Sequence, residues 1–299
     1  MTSIRSEIRR VSQQGQLLSC RVTVESVTAV SEGYLRVAVT SDELVAYRDV
    51  RPADAFKLLL PPQGQGSVDF PERGEDGIPY WPEGTRQPVL RAFTVRRFEP
   101  ALLRVEFDVA RHDGLTLRWL ANAAAGDVIG LAGMRREFHA GTGVDHHVII
   151  GDSSALPAVS AIVESLSPDV PASVYLAVDH DSDRALLPDR PHVTTFWVAG
   201  GSPVGHDSAL ERTVRRNWQG RGRTQVWLAA EASVMRSLRR LVLDEHGVSR
   251  DDLHSAAYWK TGLDSTQLDD VQLRRYQEEL ATGADAADPD LRDRVELRT

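Results

Sequence analysis

The sequence predicts two units in one chain, an antiparallel β-barrel with a single helix followed by a parallel α/β unit. Three observations carry this. The chain has 299 residues, enough for two separate cores. Between residues 18 and 133, short runs of β-formers recur with turn residues between them, the pattern of a small antiparallel barrel. From residue 147 the period changes, and short apolar strands alternate with helical stretches, as in a parallel sheet. The expected boundaries are 1–140 for the first domain and 145–299 for the second.

Residues 1–16 are polar and read as a frayed arm or a short capping helix. Residues 20–27 alternate as a strand, and Ser31-Glu32-Gly33 turns into a second strand at 34–39. A third strand, 55–60, stops at Pro61-Pro62, and residues 63–88, rich in Gly, Pro and charge, read as a long irregular loop. Strands then follow around Arg91, at 102–109 and at 128–133, giving six in all, with the barrel's helix at 115–125. Residues 134–145, with Gly141 and Gly143, read as the linker. In the second half the expected strands are 147–150, 172–178, 194–198, 224–230 and 253–258. The expected helices are 156–166, 232–245 and an amphipathic 266–280, followed by a mobile tail.

Hydrophobic content of 41% and charged content of 26% describe an ordinary soluble globular chain. The N-terminus lacks an apolar leader and no apolar run reaches membrane-spanning length, so the expectation is a cytoplasmic protein without membrane insertion. A net charge of −8 argues against nucleic acid as a partner. With one cysteine, Cys20, neither an intrachain disulfide nor a cysteine-based metal or redox motif is available. His146-His147 are adjacent rather than four apart and read as the start of a strand, so no metal site is expected. The only two lysines are Lys57 and Lys260.

The most informative stretch is Arg91-Ala92-Phe93-Thr94-Val95-Arg96-Arg97. Strand alternation sends Arg91, Phe93 and Val95 to one face and Ala92, Thr94 and Arg96 to the other. An arginine that can fork onto a pyrophosphate, a ring that can stack and a hydroxyl that can hydrogen-bond suit a flavin. A strand with a solvated basic face has the same pattern. Arg91-x-Phe93-Thr94-x-Arg96 resembles the flavin strand of the siderophore-interacting proteins, flavin-dependent ferric-siderophore reductases within the ferredoxin-reductase superfamily. Three further stretches resemble that family in the same order: His112-Asp113-Gly114-Leu115-Thr116 with Trp119, Ile150 to Ala158, and Tyr258-Trp259-Lys260-Thr261-Gly262.

The resemblance implies FAD as cofactor and NAD(P)H, or a ferredoxin partner, as electron donor. It implies cofactor contacts from Arg91, Phe93, Thr94 and Arg96 on the strand, and from His112, Gly114, Leu115 and Thr116 at a helix start whose free amides favour an anion. Taken by itself, the last stretch is an ordinary helix start. Gly151, Asp152, Ser153 and Ser154 form a strand-end turn where open α/β sheets bind ligands, although serines there also serve as plain N-caps. Ala230 and Glu231 match the family turn that faces flavin and nicotinamide, and Glu231 is equally a favourable first-turn carboxylate. Lys57, Lys260 and Arg240 would form a basic pocket for an anionic ferric siderophore, against the reading of solvated surface charges. No side chain is expected to act as acid, base or nucleophile, because the cofactor carries the chemistry. Phe93 stands where the family has tyrosine, Leu115-Thr116 where it has Pro-Ala, Ser153-Ser154 where it has Glu-Thr, and Ala230 where it has glycine. These departures motivate two other readings, a flavin-poor or flavin-free siderophore- or partner-binding relative and a flavin reductase for another acceptor.

Overall fold

A computed structural model describes residues 3–14, 18–61, 68–73, 79–112, 114–199, 203–285, 288, 290–291 and 294–295. Residues 1–16 contribute a helix, α1 (Ile4–Gln14), rather than a frayed arm. Ile4 and Ile8, one turn apart, share a face and pack beside Val144. Arg5 of α1 pairs at 2.8 Å with Asp290 near the other end of the chain.

The first sheet comprises β1 (Leu18–Ala29), β2 (Tyr34–Thr40), β3 (Ala55–Leu60), β6 (Val89–Thr94), β7 (Arg97–Glu99), β8 (Arg104–Ala110) and β9 (Val128–Arg135). A separate two-residue pair, β4 (Glu72–Arg73) with β5 (Pro79–Tyr80), lies in the region expected as irregular loop, part of which falls outside the described residues. The sheet order is β6-β3-β9-β1-β2-β8-β7. Leu18, Cys20, Val22 and Val24 of β1 point into the core while the residues between them are exposed, the alternation of a one-sided strand. Its two edge strands, β6 and β7, are consecutive in the chain, so the corner between them draws the edges together. There the Val95 amide donates to the Asp54 carbonyl and the Arg96 amide to the Glu106 carbonyl, both at 2.8 Å. This curls the sheet into the expected barrel. Among the described residues it has seven strands rather than six, because the bend at Val95-Arg96 sets Arg97–Glu99 apart from β6. The bend also interrupts the alternation, and Thr94 and Val95 are both buried.

Helix α2 (Leu115–Leu120) is shorter than the expected 115–125, since the chain turns at Ala124–Asp127, where the Asp127 carboxylate accepts from the Ala124 amide at 2.8 Å. Residues 134–145 form a packed connection rather than a loose linker. Phe138 is buried in the core of the second half, and the Trp227 indole donates to the Glu137 carbonyl at 3.1 Å.

The second half is a parallel sheet ordered β12-β11-β10-β13-β14. Its strands are β10 (His146–Gly151), β11 (Ala172–Val178), β12 (Val193–Ala199), β13 (Thr224–Glu231) and β14 (Leu253–Trp259). The central strands β10 and β13 are buried along their whole length, as a sheet covered on both faces requires. Helix α3 (Leu156–Ser165) packs Leu156, Val159 and Ile162 on one face. On the other face α4 (Ala209–Asn217) contributes Leu210 and Val214, and α5 (Ala232–Arg240) contributes Val234 and Leu238. Three apolar positions in nine, Ala209, Leu210 and Val214, gave α4 no clear period in the sequence. Helix α5 continues through a π-turn at Leu241–Glu245, which together span the expected 232–245 helix. The C-terminal helix α6 (Ser265–Ala281) opens on a capping box of Asp264 and Gln267. In the tail expected to be mobile, residues 286–287, 289, 292–293 and 296–299 lie outside the described residues, and Leu291 and Val295 are buried.

The two halves join tightly. The Tyr34 hydroxyl of β2 donates to the Ser153 carbonyl in a buried contact. Asp183 accepts from the Ser31 hydroxyl at 2.6 Å and from the Gly33 amide at 3.1 Å. A Cβ on Gly33 would lie 2.4 Å from the Asp183 carboxylate, so this approach needs glycine.

Candidate functional site

Reversal of strand order between β10 and β13 opens a crevice at the carboxyl ends of the parallel strands, where such sheets bind ligands. A cavity of about 880 Å³ lies there, bounded by the barrel on one side and the parallel sheet on the other. Its size falls among those of ligand and cofactor sites.

The cavity gathers much of what the sequence singled out. Arg91, Phe93 and Thr94 line it from β6, His112, Gly114 and Thr116 from the start of α2, and Ser153 and Ser154 from the turn after β10. The Phe93 ring packs 5.2 Å from that of Phe107 and 6.4 Å from that of Phe56, so its back rests on the barrel core and fixes the plane it presents. The Arg91 guanidinium donates to the Leu90 carbonyl at 2.6 Å and to the Thr266 hydroxyl at 2.9 Å, which ties β6 to the first turn of α6. Thr116 is 5% exposed, and its hydroxyl has no hydrogen-bond partner among the described residues. A buried hydroxyl left in that state is costly, and one that borders a cavity is positioned for a ligand. Asp113 and the Leu115 side chain lie outside the described residues.

Other candidates have different surroundings. Arg96 forms a two-pronged ion pair with Glu164 of α3 at 2.7 and 2.6 Å and does not line the cavity. Gly151 is buried, and a Cβ there would come within 2.9 Å of the Ala155 side chain. Asp152 is completely buried and ties three strand ends together. It accepts from the Ser154 amide at 2.9 Å, from the Glu231 amide at 2.9 Å and from the Trp259 indole at 2.8 Å. Burial raises its pKa, and these hydrogen bonds oppose that rise. Glu231 caps α5, accepting from the Ser233 amide at 2.6 Å and the Val234 amide at 3.2 Å, and it also accepts from the Thr261 amide at 3.3 Å. Burial pushes its pKa up, but the hydrogen bonds outweigh burial and hold it below the ordinary carboxylate value. Ala230 sits in the core beneath α5. Glycine at 151, the two carboxylates and Ala230 therefore build the floor of the crevice rather than its surface.

The expected basic pocket is dispersed. Lys57 pairs with Asp269 of α6 at 2.8 and 2.6 Å. Burial lowers the Lys57 pKa, and Asp269 partly restores it. Lys260 is half-buried outside the cavity lining, and Arg240 belongs to a second cavity on α5. Sequence reasoning missed the cationic groups that do line the crevice, Arg111 and Arg118, and the contribution of α6 through Asp264 and Ser265. The signal for Arg118 was present, since it follows Gly114 by one helical turn. Among the described residues, no group of His, Cys, Asp and Glu could hold a metal ion, and no helix is long and apolar enough to cross a membrane.

Two family models match the chain and together cover most of it. The siderophore-interacting FAD-binding domain matches residues 23–138, and the siderophore-interacting protein model matches residues 144–262. The chain belongs to the siderophore-interacting protein family. Among its relatives, the ferric acinetobactin reductase of Acinetobacter baumannii is 29% identical over 205 residues, covering 68% of this chain and 71% of that protein. The ferric vibriobactin reductase of Vibrio cholerae is 27% identical over 237 residues, covering 78% of this chain and 86% of that protein. The crystal structure of a siderophore utilization protein from T. fusca superposes with a TM-score of 0.72 at 28% identity, covering 83% of this chain and 95% of that one.

Proposed function

We propose that this chain is an FAD-dependent reductase of ferric siderophores that takes electrons from NAD(P)H or a ferredoxin and releases iron as Fe(II). The observation that carries the reading is the single crevice uniting the β6 face, the α2 start and the β10 turn, with Thr116 on its wall and the Thr116 hydroxyl without a partner among the described residues. Membership of the family and relatives named as ferric-siderophore reductases support it. These residues fit FAD. Arg91, Arg111 and Arg118 offer guanidinium donors for a pyrophosphate, Phe93 a flat apolar contact and Thr116 a hydroxyl.

Bound FAD would supply the conversion of a two-electron donor's hydride into single electrons for Fe(III). The chain's part is to hold and orient. The Phe93 plane is fixed by Phe56 and Phe107, and the barrel wall and α6 flank the crevice. Asp152 and Glu231 keep the ends of β10, β13 and β14 in register, so the crevice floor is rigid before anything binds. No side chain is required to transfer a proton. The ferric chelate is cargo and needs no protein ligand to the metal.

A second reading, a flavin-poor or flavin-free siderophore-binding relative, draws on the same crevice. It is favoured by Phe93, which lines the crevice with a ring that lacks the phenol hydroxyl of the family's tyrosine. Anaerobic reduction separates the two. FAD-loaded protein should bleach with NADH, NADPH or a reduced ferredoxin, then recover its colour as a ferric catecholate is added and Fe(II) is trapped by a chelator. Bound flavin that no donor bleaches, or bleached flavin that the ferric chelate does not reoxidise, would remove the reductase reading.

A further inference from the structure

A second cavity, of about 730 Å³, lies on the flank of α5 and shares no lining residue with the crevice. Among the described residues, Arg236, Arg239, Arg240, Arg250, Arg294 and His206 line it, with Asp244 and Asp290 as the only carboxylates. Arg236, Arg240, Leu243 and Asp244 recur at helical spacing along the face of α5 and its π-turn. Arg239 is 5% exposed and reaches the Ser255 hydroxyl of β14 at 3.2 Å.

Arg239, Asp290 and Arg294 are already engaged. Asp290 pairs with Arg5, and Arg294 pairs with Glu279 and Asp288. Among the described residues Arg236, Arg240 and Arg250 form no ion pair, although the chain as a whole carries a net charge of −8. Like charges one helical turn apart repel. The dipole of α5 accounts for arginines in its last turn, Arg239 and Arg240, but not for mid-helix Arg236 or for Arg250 on the turn before β14. The uncompensated charge therefore calls for a mobile partner.

We propose that this cavity is a second anion site, for a small polyanion carrying two or more phosphate or carboxylate groups and no aromatic part. Guanidinium forks match such oxyanions in pairs, and a buried arginine beside a hydroxyl anchors one end of the cavity. The cavity has room for more than a single phosphate, while among the described residues its lining offers no Phe, Tyr or Trp ring and only one aliphatic side chain, Leu243, so its chemistry favours oxyanions over an apolar or aromatic ligand.

Calorimetric titration of the intact FAD-loaded protein tests this, using inorganic pyrophosphate and citrate in parallel arms and AMP as a third, each against sodium chloride of equal ionic strength. Saturable binding of pyrophosphate or citrate is expected, and the stronger arm shows which oxyanion class the site favours. Arg236→Ala and Arg250→Ala should each weaken that binding by about tenfold, as expected for loss of one charge-assisted contact. Without the anion, Arg236→Ala should melt no lower than the parent, because it relieves repulsion, so weakened binding is not a folding defect. Heats no greater than those of chloride, unchanged affinity in both variants, or binding of AMP without pyrophosphate would overturn the proposal. These results stand whether or not the crevice proves to be a reductase site.

Discussion

Thr116 and Asp152 show at the level of single residues how the site divides into a surface and a support. Thr116 lines the crevice, and its buried hydroxyl has no hydrogen-bond partner among the described residues. Thr116→Val keeps the shape and removes that group, so FAD affinity measured by fluorescence titration should fall about three- to tenfold with little change in stability. Asp152 has the opposite role, with both oxygens occupied by donors from three strand ends. Asp152→Ala would leave the Ser154 and Glu231 amides and the Trp259 indole without an acceptor. A loss of about 3 kcal/mol in denaturant unfolding is expected, and a loss within experimental error would contradict the clamp. The sequence pointed to both residues. It could not distinguish their roles, because a polar residue at a helix start or strand end can face either the ligand or the core, and only packing decides.

Elements repeat the pattern. The strand around Arg91, the β10 turn and helix α6 are local features with local signals, and all three were legible. What was not legible depended on which element crosses which. Arg96 meets Glu164 of α3 and Lys57 meets Asp269 of α6, partners 68 and 212 residues away that no local pattern announces. Arg240 lies on an α5 face that the topology turns away from the crevice. Helix α6 is the most consequential of these crossings. Leu268 is its only buried residue among those described, so α6 rests lightly on β6 and is held there by the Lys57–Asp269 and Arg91–Thr266 contacts. The Lys57–Asp269 pair is about a third exposed, which limits its contribution to stability to about 1 kcal/mol or less. Asp269→Ala should therefore cost little in melting temperature while releasing the Lys57 charge.

At the scale of the whole molecule, the barrel and the parallel sheet were both readable from hydrophobic period, because strands and helices bury different faces. The connection between them was not, since its polar, glycine-containing sequence conceals the burial of Glu137 and Phe138. Near this connection His147, the second residue of the central strand β10, is 4% exposed, and burial together with the neighbouring His146 and His192 pushes its pKa down to about 4. The unfolded chain, with an ordinary histidine, binds that proton more readily. Stability from this group is thus present above pH 6.5 and is lost as pH falls from about 6.5 towards 4, by about 3 kcal/mol. Denaturant midpoints across that range should decline with acid, and His147→Phe should flatten the decline. An equally steep decline in the variant would move the acid sensitivity to other groups.

The central claim, that the crevice is an FAD site, is tested most directly by the visible absorption spectrum of the purified protein before and after addition of FAD and removal of the excess. The structure predicts a retained flavin band at one FAD per chain, substantially weakened in Arg91→Ala. A colourless protein that retains no added FAD would contradict it.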